Sequence, residues 1–436
     1  MDAVNFFEII KKYNIIKDNS CERFELVGED FNIDQLRVEW NNQSNQQEMK
    51  IYIGDNSYIL INRKQGISVS EYVINKNFVA LLKNAMIESE KIISYEDVIK
   101  HMKARSILEH LLKSSGIRDS EVVGMLDVFI DIIRTYERWA SETYESRNIC
   151  FCIGIDCGIV DRSGITLKSI EEDSALESMF KVVTNGIETM IVCNKLGQIC
   201  GFEVMTEDVP NPYSSARLKH KFYPQIFSKI ANWASGKKFA FVLTQLGEIL
   251  IFRDKSLLFV KRRGEWLFLS PKSLAHRILK SQDTLKEIKE AVMDTCLDVS
   301  FSRSGACIGI IKAGDETPRC VLEESNLSTS MEPKVVALRK LIHGKNFHEL
   351  DRRVRKELAA IDGAIVIDGA GKIHAIGAIL DNSSSTSRSG SGGRTVAAQT
   401  LAKSGCGIKV SADGKIEAWQ QNNTIAGGYE SIFTLA

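Results

Sequence analysis

Apolar runs in this chain are short and closely punctuated. Phe239-Ala240-Phe241-Val242-Leu243, Glu248-Ile249-Leu250-Ile251-Phe252 and Leu257-Leu258-Phe259-Val260 are separated by Leu246-Gly247 and Asp254-Lys255-Ser256. Arg263-Gly264 follows, and Glu265-Trp266-Leu267-Phe268 would close a meander. Runs of four or five residues between turn formers, rich in β-branched and aromatic side chains, predict strands. No stretch of eighteen apolar residues is free of charge, so no membrane-spanning helix is expected. The chain has 436 residues, which predicts two or three domains. With 44% hydrophobic and 26% charged residues, the composition excludes a disordered or fibrous polymer.

Three blocks follow from the patterning. Residues 1–147 open with a short helix through Phe6-Phe7-Ile9-Ile10, then alternate as strands at Lys50–Ile53 and Tyr58–Ile61 around Gly54-Asp55-Asn56. From Val69 to Arg147 a helical period dominates, with Val79, Leu82 and Met86, then Ile107, Leu111 and Leu112, then Leu126, Ile130 and Ile133 on successive turns. This block reads as a mostly helical regulatory or interaction domain. Residues 148–280 contain the meander and read as a β-rich middle domain. Residues 281–436 interleave strands with helices, the arrangement of an α/β mixed sheet with helices packed on it. Thr284 and Glu287 predict a capping box at its first helix.

Charge and cysteine usage narrow the chemistry. Lysine plus arginine equals aspartate plus glutamate at 56 each, so no global field points to nucleic acid or membrane. Locally, residues 211–280 carry fourteen basic residues against three acids, a segment that would suit nucleic acid or an acidic partner if its charges shared one face. Spread around a meander, the same charges are a solvated surface. The early acid Asp2 ahead of Lys11-Lys12 is the wrong order for a signal peptide, so the ten cysteines are expected as reduced thiols in a cytoplasmic protein. Cys150, Cys152 and Cys157 lack zinc spacing, and the seven histidines form no metal-binding pair.

Two features of the third block carry chemical interest. Asp362-Gly363-Ala364 leads into the apolar run Ile365-Val366-Ile367, and an aspartate entering a buried strand must be solvated, paired or metal-bound. The small residues beside it leave room for a ligand. The alternative is a strand-end aspartate that caps a turn. The loop from Asp381 to Gly393 holds six serines and ends in Gly392-Gly393-Arg394 before a helix. Flexible backbone N–H groups and a guanidinium at a helix N-terminus are what phosphate binding requires. A plain serine loop is the alternative.

Together these segments resemble diadenylate cyclase domains. Ser302-Arg303-Ser304-Gly305-Ala306-Cys307-Ile308 is similar to the family's R-x-G-A-L-I strand, and Ile361-Asp362-Gly363-Ala364-Ile365 to its D-G-A strand. Gly392-Gly393-Arg394-Thr395-Val396-Ala397-Ala398 falls where the family carries G-T-R-H-R-A-A, and Val410-Ser411-Ala412-Asp413-Gly414 resembles its terminal turn. The resemblance covers about residues 285–425. It implies a soluble nucleotidyltransferase that binds ATP or another nucleoside triphosphate, with domains of two subunits facing each other in a homo-oligomer. Each 3′-hydroxyl attacks the opposite α-phosphate, releasing pyrophosphate and forming cyclic di-AMP or a related cyclic dinucleotide. By resemblance Asp362 and Arg394 are catalytic, and Asp362 and Asp413 hold Mg²⁺ or Mn²⁺. Gly363, Ala364, Ser391, Gly392, Gly393, Thr395 and Ser411 would bind nucleotide. The family's R-H-R is Arg394-Thr395-Val396 here, which leaves a second expectation open: a catalytically degenerate fold that senses a nucleotide or cyclic dinucleotide.

Overall fold

A computed structural model describes residues 2–13, 21–41, 47–63, 67–88, 96–160, 164–205, 220–268, 284–381, 392–424 and 428–435. The chain is α/β with mixed sheets, as expected, and it divides into two compact units. The first takes the described residues up to 205 together with 227–268. The second takes 220–226 and everything described from 284 onward. Among the described residues no helix is long and apolar enough to cross a membrane.

The first unit begins with helix Ala3–Tyr13 against a four-stranded antiparallel sheet, ordered Cys21–Val27, Tyr58–Arg63, Gln47–Tyr52, Arg37–Asn41. Met49, Ile51, Ile59 and Ile61 alternate onto the face covered by Phe6, Ile10 and, from helix Val69–Glu88, Leu82. The N-terminal region is mostly helical, as expected, and its sheet has two strands, Cys21–Val27 and Arg37–Asn41, that apolar alternation did not reveal. Charged residues interrupt Cys21–Val27 and Arg37–Asn41, so neither reads as an apolar run.

The expected boundary at 147/148 falls inside one hydrophobic core. Helix Asp119–Trp139 lies on the meander, with Phe129 edge-on to Phe239 and Phe241 at 5.2 and 4.8 Å between ring centroids. The Tyr136 hydroxyl donates to the Phe241 carbonyl at 3.1 Å. An aromatic helix face of this kind needs a sheet to cover it, and the sheet it meets is built from the next block.

That sheet has seven strands. In spatial order they are Glu265–Phe268, Ser256–Arg262, Ile249–Arg253, Lys238–Leu243, Phe151–Asp156, Thr189–Cys193 and Ile199–Val204. The second unit's sheet has six: Ile373–Ala378, Ala364–Asp368, Ala306–Ile311, Gly405–Val410, Ile416–Gln421 and Tyr429–Leu435. Helix Lys286–Ser302 enters it without the expected capping box. Leu285 is the N-cap residue with no side-chain cap, and the buried Thr284 hydroxyl makes no hydrogen bond among the described residues.

The two sheets share one topology, the first with one further strand, Glu265–Phe268, at its edge. In each, a first strand crosses through helices to a parallel second, which turns back into an antiparallel third. The chain then passes through a further helix to a fourth strand antiparallel to the first and runs on as hairpins. Register agrees as well as order. Ile153 pairs with Ile191 where Ile308 pairs with Ile365, and Gly154 opposes Ala240 where Gly309 opposes Gly407. Both outer hairpins shift register at the same place, between Ile251 and Phe252 and between Ala418 and Trp419.

The turns match in the hydrogen bonds that close them. Thr244 N–H donates to the Glu248 carbonyl at 2.9 Å, as Ser411 N–H donates to that of Lys415 at 2.8 Å. Asn194 Oδ1 accepts the amides of Leu196 and Gln198, as Asp368 Oδ1 accepts those of Ala370 and Lys372. Cys152-Ile153-Gly154-Ile155 is repeated in sequence as Cys307-Ile308-Gly309-Ile310.

The central glycines let a helix sit directly on each sheet. A β-carbon on Gly407 would stand 1.8 Å from the Ala398 carbonyl oxygen, and one on Gly309 would stand 2.9 Å from Leu401. Gly154 is covered in the same way by Trp233 of helix Ser228–Trp233. Gly407→Ala is expected to destabilise the protein by at least about 1–3 kcal/mol through overpacking. Gly124→Ala, at an open helical position with nothing within 4 Å of the added carbon, should stabilise it by up to about 1 kcal/mol. Urea unfolding of both variants measures the two shifts.

Candidate functional site

The strand starts at Ala364, so Asp362 precedes it and its side chain is exposed. No desolvation has to be compensated, and the aspartate is free to face a ligand. Gly363 is forced by its surroundings: its φ is +105°, and a β-carbon there would meet the Gly377 carbonyl carbon at 2.5 Å. Ala364 is buried opposite Ala378. The D-G-A order thus has a local reason, since only a glycine passes the close crossing between this strand and the next.

Register brings the other candidates alongside. Ala306 pairs with Val410 and Ile308 with Ile365. Ser411 follows the last residue of its strand, Gly305 precedes the first residue of the next, and Asp362 lies two residues ahead of the third, so all three stand at the same end of the sheet. Gly305 takes a φ of +73° and has the Arg394 guanidinium against it, with Nη1 2.7 Å from where a β-carbon would stand. Arg394 reaches this point because its helix, Gly393–Ala402, is seated on Gly309 and Gly407. The buried Cys307 thiol next along the strand is pushed up to about 12 by burial, with the nearby guanidinium pulling the other way.

Gly392 and Gly393 are exposed at the start of that helix, with nothing within 4 Å of an added β-carbon, and Thr395 N–H is already bonded to the Gly392 carbonyl. The amides of Gly393 and Arg394 come before the helical ladder, where N–H groups have no intrahelical acceptor. Ser391 lies outside the described residues. Among the described residues, Asp362, Arg394 and the Ser411 hydroxyl have no hydrogen-bond or ion-pair partner.

Neighbouring charges are used differently. Lys409 and Lys415 both hold Glu417, at 2.8 and 2.9 Å, so neither cation is open to a ligand. Asp413 bends back to its own turn, its Oδ1 accepting the Lys415 amide at 3.3 Å while Arg303 donates to its carbonyl oxygen. Among the described residues no three histidine, cysteine or acidic side chains gather as a metal site. Asp362 offers one carboxylate, which suits a Mg²⁺ ion carried mainly by substrate phosphates rather than a protein cage.

The same end of the first sheet is closed by its own side chains. Glu188 is ion-paired with Lys229 at 3.1 Å, and Cys150 Sγ donates to the Asn185 carbonyl at 3.1 Å. Thr244 Oγ1 accepts the amides of Leu246 and Glu248. Part of the charge excess of residues 211–280 is answered by acids from elsewhere, with Lys238 on Asp156, Lys261 on Glu137 and Lys229 on Glu188, while Arg262 pairs with Glu248 inside the segment; residues 211–219 and 269–280 lie outside the described residues.

A buried polar cluster sits on the helical side of the second unit. Arg352 bonds Asp298 through Nε at 2.6 Å and Nη2 at 2.8 Å, and also donates to the Tyr223 carbonyl. Gln225 N–H donates to Asp298 at 2.7 Å. Burial pushes the Asp298 carboxyl up, and Arg352 opposes it. This cluster holds segment 220–226 in the unit, and sequence patterning did not single it out because its members lie far apart in the chain. The chain matches no protein-family model and no curated protein.

Two outcomes follow. Arg352→Ala leaves the Asp298 carboxylate buried without its partner and should cost about 3–5 kcal/mol in urea unfolding. Glu417 is partly buried, which alone would raise its pKa, yet the two lysines hold it below the ordinary glutamate range. A depressed carboxylate contributes stability above its unfolded-state pKa and loses it as pH falls through the folded-state value. Glu417→Gln should therefore be less stable than the wild type at pH 7, with the gap closing in acid. Unfolding series at several pH values would check this.

Proposed function

We propose that the second unit binds the phosphates of a nucleotide at the sheet end formed by Asp362, Gly305 and Ser411, with Arg394 and the Gly392–Gly393 helix start as the phosphate-holding elements. The observation that carries this reading is two charged side chains, Asp362 and Arg394, that have no hydrogen-bond or ion-pair partner among the described residues and stand at one end of the sheet. Leaving a half-buried guanidinium unpaired costs stability, and a bound anion would recover it.

The arrangement favours a sensor of a nucleoside triphosphate or cyclic dinucleotide. Thr395 and Val396 stand where the resembled family has a histidine and a second arginine. One guanidinium is a poor set of cations for stabilising departing pyrophosphate, since catalysis of phosphoryl chemistry rests on positioned charge. A second reading, the condensation of two ATP into cyclic di-AMP, is favoured by the exposed Asp362, which would hold Mg²⁺ or Mn²⁺ beside a 3′-oxygen. It would need two facing chains, and the other subunit would be a second copy.

Calorimetric titration of the whole chain with ATP, GTP and cyclic di-AMP tests the first reading. Saturable binding is expected, weakened tenfold or more by Arg394→Ala, as fits a charged hydrogen bond of about 1.5–3 kcal/mol. Mass spectrometry after incubation with each triphosphate and Mg²⁺ or Mn²⁺ separates the two. A cyclic dinucleotide made by wild type and absent from Asp362→Asn would replace the sensor with the cyclase.

A further inference from the structure

One more unpaired charge stands at this end of the sheet. Helix Pro333–Ile342 begins with proline and carries Lys334 in its first turn, exposed and without an ion-pair partner among the described residues. Its Nζ is 3.1 Å from the point where a β-carbon on Gly377 would stand, and that same point is 3.0 Å from the Asp362 carbonyl oxygen. The ammonium group therefore hangs over the crossing that turns the chain into Asp362-Gly363. Gly377, at φ +62°, leaves the space it occupies. Any side chain there would displace the amine.

The rest of the neighbourhood makes this lysine distinctive. Lys409 and Lys415 are taken up by Glu417, and at the matching end of the first sheet Lys229 is taken up by Glu188. Lys334 stands near the Asp362 backbone, and among the described residues it forms no ion pair with the Asp362 carboxylate. An ammonium and a carboxylate at the same end of a sheet that do not pair with each other suit a ligand that offers an anionic oxygen to one and a hydroxyl or a metal-bridged oxygen to the other.

We infer that Lys334 is a phosphate-binding residue of the nucleotide site, supplying the second cation that Thr395 and Val396 do not. The inference rests on the proposed nucleotide-binding role of the second unit. The lysine approaches from helix Pro333–Ile342, whereas Arg394 comes from the helix after the serine-rich loop, so a bound phosphate group would be held from two separate elements. A triphosphate would then engage this site more strongly than its nucleoside.

Calorimetry on the full chain with ATP, inorganic pyrophosphate and adenosine as probes decides it, comparing wild type with Lys334→Ala, Lys334→Arg and Arg394→Ala. The expected result is a ten- to hundredfold loss of ATP and pyrophosphate affinity in Lys334→Ala, most of it restored in Lys334→Arg. Adenosine binding and the melting temperature should stay unchanged, because the side chain is exposed and unpaired. Wild-type ATP affinity in Lys334→Ala, with loss in Arg394→Ala, would overturn the role of Lys334 and leave the site standing. An equal loss for adenosine would overturn it as a phosphate contact. No binding of ATP or pyrophosphate by the wild type would sink the inference and the nucleotide-binding reading together.

Discussion

The close seating of a helix on glycine-bearing strands is the contact on which the site depends. Gly407 and Gly309 have no side chain where helix Gly393–Ala402 crosses them, so its backbone comes down onto the sheet at Ala398. Packing this close leaves little freedom in the helix's position, since interiors are as dense as organic crystals. The result is that Arg394, one turn from the contact, is set against Gly305. Gly305 in turn has the left-handed backbone and the missing β-carbon that make room for a guanidinium.

The same device is present twice. Gly154 under Trp233 repeats Gly309 under Leu401, and the buried faces correspond residue for residue: Ile153, Ile155 and Ile191 with Ile308, Ile310 and Ile365. What differs is the sheet end. In the first unit polar and charged groups there satisfy one another, with Glu188 on Lys229 and Thr244 on its own turn. In the second, the side chains of Asp362, Arg394, Ser411 and Lys334 have no hydrogen-bond or ion-pair partner among the described residues. A fold that appears twice, closed in one copy and open in the other, separates what the architecture needs from what a ligand would use.

Much of the second unit was legible in the sequence because its signals are local. Short apolar runs with Asp368-Gly369-Ala370-Gly371 and Ala412-Asp413-Gly414 between them mark strands and turns by residue type alone, and strands flank both turns. The four-stranded N-terminal sheet was less visible, since strands such as Arg37–Asn41 alternate over too few residues to compete with nearby helical periodicity. The expected division at 147/148 failed for a related reason. Phe129 and Tyr136 announce an apolar face without saying what covers it, and the cover comes from Phe239 and Phe241, more than a hundred residues on. The duplication had a sequence trace, the repeated Cys-Ile-Gly-Ile, but four residues are too few to stand out unless register and turn geometry are compared.

By itself the sequence determined the α/β class, the turns, and the identity of Asp362, Gly363, Arg394 and Ser411 as candidates, because each follows from residue type and near neighbours. Only the tertiary structure decided that these residues share one end of one sheet. Strand pairing is a contact between distant segments, and a shift of one residue would turn every side chain to the other face. The tertiary structure also decided which charges are left open. Lys409 and Lys334 look alike in the chain, yet cross-strand pairing sets Glu417 against the first, and no such carboxylate stands beside the second among the described residues.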